Sequence, residues 1–103
     1  MYVLVCYVPA GHAEAVKESL FAAGAGKLGN YDSCCFQVDG TGQFRPLAGS
    51  SPFIGRTGEV ERVRETRLEM IVPDDLRAAV VRALRDAHPY EEPAFHLIRV
   101  ETE

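Results

Sequence analysis

The apolar positions of this chain change period as it runs, and those changes mark its elements. Tyr2-Val-Leu-Val-Cys-Tyr-Val8 is β-branched and aromatic and predicts a strand. Tyr2, Leu4, Cys6 and Val8 form one face and Val3, Val5 and Tyr7 the other. Both faces are apolar, so the strand asks for cover on two sides. Pro9-Ala-Gly11 turns the chain, and the period then lengthens. Within His12 to Ala23, Ala13, Val16, Leu20 and Ala23 share one helical stripe, while Glu14, Lys17 and Glu18 lie off it. Gly24 supplies a C-terminal stop. Ser33 to Val38 predicts a second strand. Gly40-Thr-Gly42 predicts a tight reversal suited to a hairpin, with Gln43 to Pro46 beginning the return. Leu47 to Gly58 is rich in Gly, Ser and Pro, has no period, and predicts a long loop of the kind that often carries function.

Glu59 to Val72 is the clearest long strand. Thr66, Leu68, Met70 and Val72 alternate with Glu65, Arg67, Glu69 and Ile71, so one face is polar for most of its length. Pro73-Asp74-Asp75 opens a second helix, with carboxylates at its positive end. Its buried stripe is Leu76, Val80, Ala83, Leu84 and Ala87, with Arg77, Arg82 and Arg85 pointing away. His88-Pro89 ends it, and Ala94 to Val100 forms a last strand. The order β-α-β-β-α-β predicts an α+β, ferredoxin-like sandwich: an antiparallel sheet with two helices on one face. The first strand's other face then stays apolar and uncovered, which predicts self-association.

Composition narrows the class. The chain has 103 residues, a hydrophobic fraction of 47% and a charged fraction of 25%, which fits one globular unit over residues 1–103. Its formal charge of −4 leaves no basic stripe to neutralise phosphates, so nucleic acid is not an expected partner. The longest apolar run, Tyr2 to Val8, falls far short of the ~20 residues that span a membrane. No basic leader precedes the first strand. Cys6, Cys34 and Cys35 are an odd set with two adjacent, a poor disulfide framework that predicts a reducing, cytoplasmic setting.

Three stretches carry a family resemblance when taken together: Gly24-Ala-Gly-x-x-Gly-Asn-Tyr31, Gly40-x-Gly-x-Phe-x-Pro46 with Pro52-x-Ile-Gly55, and His88-Pro-Tyr-Glu-Glu-Pro93. In this order and spacing the chain resembles, from Tyr2 to about Val100, the YqfO-type domain. That domain is found within some Nif-three-like proteins and also free-standing. The resemblance implies a fold similar to the PII and CutA families, and association as a homotrimer through the sheets. It also implies that the dinuclear metal centre of the larger Nif-three-like proteins, which sits on a separate core, has no ligand positions here.

Four constellations bear on chemistry. His88, Glu91, Glu92 and His96 offer two imidazoles and two carboxylates in one short stretch, a donor set suited to a divalent metal ion. The plainer alternative is that His88 caps the second helix as a cation, with Glu91 and Glu92 solvated. Gly24, Gly26 and Gly29, followed by Asn30 and Tyr31, permit close backbone approach and an anion nest, or simply a helix stop and turn. In the PII family the connection between the second and third strands contacts nucleotide and partner proteins. Here Phe44 and Phe53 would be its apolar handles and Arg45 and Arg56 its cationic ones, the arginines able to meet a carboxylate or phosphate in bidentate fashion. The mixed charges of Glu59 to Glu69 read as a solvated or intersubunit face. His12 is a candidate base, but no nucleophile–base pair can be assembled around it. The expectation is therefore a trimeric module without catalysis, responsive to a small ligand or bound to a protein partner. Its ligand would sit in clefts between subunits, near Gly26 to Tyr31 and the long loop. The alternative is a divalent metal binder built on His88, Glu91, Glu92 and His96.

Overall fold

The computed structural model describes residues 1–103. Four strands, β1 (Tyr2–Pro9), β2 (Phe36–Phe44), β3 (Glu61–Val72) and β4 (Phe95–Arg99), form one sheet of order β2-β3-β1-β4. All three pairings are antiparallel. The helices α1 (Ala13–Ala22) and α2 (Arg77–Ala87) each follow a single turn of 3-10 helix. The architecture is the α+β sandwich expected from the order of elements, with both helices on one face.

The strand most apolar in sequence takes the central place. β1 pairs with β3 along its whole length and with β4 over Tyr2 to Cys6. Register then sorts the side chains. Leu4 lies between Met70 and Leu97, and Cys6 between Leu68 and Phe95, all turned toward the helices. Those side chains meet Val16 and Leu20 of α1 and Val80 and Leu84 of α2 in one core. The helical stripes read from the sequence are the ones that pack. Complete burial of leucines such as Leu4, Leu20, Leu68 and Leu84 contributes about 1.5–3 kcal/mol each.

On the opposite face the register sets Val3 between Ile71 and Ile98, and Val5 between Glu69 and His96. Phe36 and Val38 of β2 extend that face past Glu69 and Arg67. No helix covers it, and Phe36, Val38 and Ile98 are 66%, 50% and 50% exposed. The two-faced character of β1 thus has the outcome anticipated: one side buried by helices, the other left open.

One turn expected from the sequence does not exist. The backbone runs straight through Gly40-Thr-Gly42 as part of β2, paired residue for residue with Glu65 to Val63. The hairpin closes later, through the loop between Phe44 and Glu61. Gly42 is small for another reason: a Cβ there would collide with the carboxylate of Glu65, which folds across it from the neighbouring strand. The paired β2 and β3 therefore project beyond β1, and the molecule measures 46 × 24 × 22 Å.

The glycine-rich connection after α1 is a structural joint. The amides of Gly24 and Ala25 donate to the carbonyls of Phe21 and Leu20, closing the helix, and the amide of Gly26 donates to Ile71 at 2.8 Å. The Gly26 carbonyl accepts from Cys34 at 2.8 Å. Gly26 has φ +77°, and a Cβ would stand 2.8 Å from the Cys34 carbonyl and 2.9 Å from the Phe21 ring. The G26A variant is expected to lose at least about 2 kcal/mol of stability, from a strained φ plus a backbone clash. Urea denaturation measures this, and an unchanged midpoint would contradict the joint described here.

Candidate functional site

Two segments separated in sequence meet at the far end of the open face. The loop after Phe44 folds back over the projecting β2–β3 ribbon, held by the amide of Gly58 on the carbonyl of Pro46 at 2.8 Å. The turn from α2 to β4 comes round from the helix side. Between them lies a cleft of about 410 Å³, lined by loop residues that include Arg45, Leu47, Phe53 and Ile54, by Tyr90, Glu91 and Glu92, and by Tyr7 and Glu65 of the sheet.

His88 anchors the second segment. Its side chain is buried, its own amide closes α2 on the Leu84 carbonyl, and its two ring nitrogens have distinct partners. The amide of Tyr90 donates to Nδ1 at 3.1 Å, and Nε2 lies 2.7 Å from the carbonyl of Tyr7. A nitrogen that accepts carries no proton, and a nitrogen facing a carbonyl must carry one. The ring is therefore the neutral Nε2–H tautomer. Burial pushes its pKa down from 6.5, against the Tyr7 carbonyl and the Glu65 carboxylate, which favour the cation, with His12 opposing. His88 thus terminates α2 as a neutral two-way bridge, and the cationic cap considered from the sequence is replaced by a hydrogen-bonded one.

Tyr90 carries the bridge into the cleft. Its hydroxyl donates to Glu65 Oε2 at 3.0 Å. Burial and the adjoining carboxylate raise its pKa above the ordinary phenol value, so it remains a donor. Around it the aromatic rings gather: Phe44 at 5.7 Å, Phe53 at 6.4 Å and His88 at 4.9 Å between centroids. Phe53 also stands edge-on to His12 at 5.5 Å, and His12 Nδ1 is buried without a partner. Glu91 accepts from the Ser51 amide at 2.6 Å, which ties the turn to the long loop.

The residues singled out from sequence are dispersed. Arg45 lines the cleft, whereas Arg56 lies farther along the same loop and is not among its walls. Gly24, Gly26, Gly29, Asn30 and Tyr31 stand at the other end of the sheet. Gly26 is held by Ile71, six residues and roughly 20 Å along β3 from Glu65. Leu28 and Tyr31 exchange backbone hydrogen bonds there in a miniature hairpin whose Tyr31 is 75% exposed. His88, Glu91, Glu92 and His96 do not converge. His88 has both nitrogens engaged, His96 packs its ring against Tyr7 across β1 at 6.4 Å, and no group of three His, Cys, Asp or Glu side chains is placed to hold an ion. Glu65 and Tyr90 are the wall residues to which sequence reading gave no part in a site; Phe44 and Phe53, read as apolar handles of the long loop, also stand on the wall. The signal available was the glycine opposite a glutamate on paired strands.

No protein-family model matches the chain. A curated relative from Mycobacterium leprae, named GTP cyclohydrolase 1 type 2 homolog, is 52% identical over 93 residues, 90% of this chain and 24% of that protein. The chain thus spans about a quarter of the length of the curated relatives it matches. A Bacillus cereus protein described as related to NIF3 superposes with a TM-score of 0.85 at 42% identity, covering 98% of this chain and 26% of that one. The PII-like protein CutA from Nostoc shares the fold at a TM-score of 0.65 and 22% identity, covering 98% and 82%. The resemblance read from the glycine and His-Pro-Tyr-Glu-Glu-Pro motifs is therefore met in sequence and in fold. One expectation is overturned: the relatives bear the name of a cyclohydrolase homolog, against the reading of a chain without catalysis. That reading came from finding no nucleophile–base pair within 103 residues, about a quarter of the length of the proteins so named.

Linkage through His88 gives a direction for pH dependence. The folded-state pKa lies below the unfolded value of 6.5, so the unfolded chain binds more protons in that window. The contribution of His88 is complete above pH 6.5 and is lost as the pH falls through the depressed folded value. The denaturation midpoint is expected to drop between pH 7.5 and 5.5, and H88Q to flatten that slope. A midpoint independent of pH over this range would contradict the neutral bridge.

Proposed function

We propose, for a chain homologous nearly throughout to one segment of the NIF3-related proteins, the role of an oligomeric, ligand-responsive module that serves the activity named in its relatives. The observation that carries this reading is the cleft. The long loop and the His88–Pro93 turn, both motif-bearing, close on one cavity although some forty residues separate them, joined by the Glu91–Ser51 hydrogen bond. A cavity of this size with mostly apolar walls and a few directed polar groups is the usual form of a small-molecule site. A ligand seated there touches both segments and so couples the loop to the end of the sheet.

The open face supports the oligomer. A row of Val3, Ile71 and Ile98, continued by the exposed Phe36 and Val38, is an apolar face that no helix covers, the kind of patch that marks an interface. We read it as the homotrimer interface that the PII/CutA likeness implies. Three free thiols support a reducing, cytoplasmic setting; burial pushes the pKa of Cys6 up to about 12, keeping it an unreactive thiol. No helix is long and apolar enough to cross a membrane.

Native mass spectrometry of protein purified without tag or chelator tests this reading. A trimer is expected, and the F36D/V38D double variant is expected to run as a monomer in sedimentation while melting within a few degrees of the parent. A parent that is monomeric at micromolar concentration would overturn the association. A trimer unaffected by the two substitutions would place the interface elsewhere.

A further inference from the structure

The charge inside the cleft identifies the kind of ligand it takes. Three carboxylates, Glu65, Glu91 and Glu92, stand on its walls against a single cation, Arg45. None of the chain's ion pairs includes any of the three carboxylates. The nearest basic ring, His88, is held neutral by its two hydrogen bonds and cannot offset them. Glu65 is the most confined of the three: half-buried, folded over Gly42, with the Tyr90 hydroxyl as its hydrogen-bond donor. An unpaired carboxylate withdrawn from water is costly, and a cation brought to it recovers that cost. A triphosphate would face the opposite balance, with one arginine for it and three carboxylates against it.

The remaining walls are aromatic. Phe44 and Phe53 pack on Tyr90 at 5.7 and 6.4 Å with interplanar angles of 62° and 51°, so the three rings form one continuous aromatic wall of the cleft. Ring faces attract cations through their quadrupole and also stack on flat apolar bodies. Resting on the reading that the cleft holds a small ligand, we propose that this ligand is an organic cation: a primary amine carried on a flat, apolar body, with the ammonium at Glu65 and Glu92 and the body against the aromatic wall of Phe44, Phe53 and Tyr90.

Titration calorimetry of the whole chain with three probes of one shape tests this. Tryptamine is the cation, tryptophol its neutral analogue and indole-3-acetate its anion. Tryptamine is expected to bind at least about tenfold more tightly than tryptophol, as a charge-assisted bond at a confined site implies, with indole-3-acetate weakest. E65Q, whose amide oxygen still accepts from Tyr90, is expected to erase the preference for the amine while leaving tryptophol binding in place. The exposed E92Q, which has no hydrogen bond to lose, is expected to weaken it in part and guards against misfolding of the first variant. F53A is expected to weaken the amine and the alcohol alike. Equal binding of the three probes, or preference for the anion, would overturn the cationic ligand and keep the cleft as a site. Failure of all three to bind would overturn both readings.

Discussion

A central strand with two apolar faces cannot be satisfied by two helices alone, and most of what is distinctive in this chain descends from that constraint. β1 spends one face, Leu4, Cys6 and Val8, on the core beneath α1 and α2. Its other face, Val3, Val5 and Tyr7, is shared with Ile71, His96 and Ile98 across the neighbouring strands and faces away from both helices. The same strand supplies the Tyr7 carbonyl on which His88 is hung. Core, open face and cleft therefore take their positions from eight residues. A change in the register of β1 would move every one of them to the wrong side.

Much of this was legible in advance, because periodicity reports burial directly. The stripes of Val16 and Leu20, and of Val80 and Leu84, had to face something apolar, and the alternation of β3 separates Leu68 and Met70 from Arg67 and Glu69 in the sequence itself. Glycine was less legible, since it answers several needs at once. Gly40 and Gly42 read as a reversal and are strand residues, Gly42 being the gap through which the Glu65 side chain passes. Gly24 and Gly26 read either as a nest for an anion or as a helix stop and turn, and their amides are taken by Phe21 and Ile71. Which need a glycine serves depends on what lies across from it, and that is tertiary information.

The candidate site was half legible for the same reason. The turn His88 to Pro93 and the loop holding Arg45 were each marked by composition, but nothing in one segment points to the other. Their meeting depends on the β2–β3 ribbon outrunning β1, a matter of strand lengths that an unrecognised continuation of β2 concealed. The protonation of His88 was read with the wrong sign, as a cation at a helix end. The dipole would favour that charge by about 0.3–1 kcal/mol. Burial and the Tyr90 amide favour the neutral ring instead, and here they prevail over the pull of the Tyr7 carbonyl.

The two rims of the sheet have a further consequence for behaviour in concentrated solution. β2 forms one rim, and its outer peptide groups are free to recruit another strand. Several features blunt that tendency. Gly40 and Gly42 lower its intrinsic preference for extended pairing. Asp39 keeps a carboxylate on the rim, tethered by the Thr66 hydroxyl at 3.3 Å. Lys17 reaches over from α1 to Gln37 at 2.8 Å and pins the strand from the helix side. The opposite rim, β4, is only five residues long. Copies are thus discouraged from adding edge to edge into open-ended ribbons, while contact through the broad face remains available. The apolar surface of the broad face is by this means kept apart from the edges along which fibres would grow.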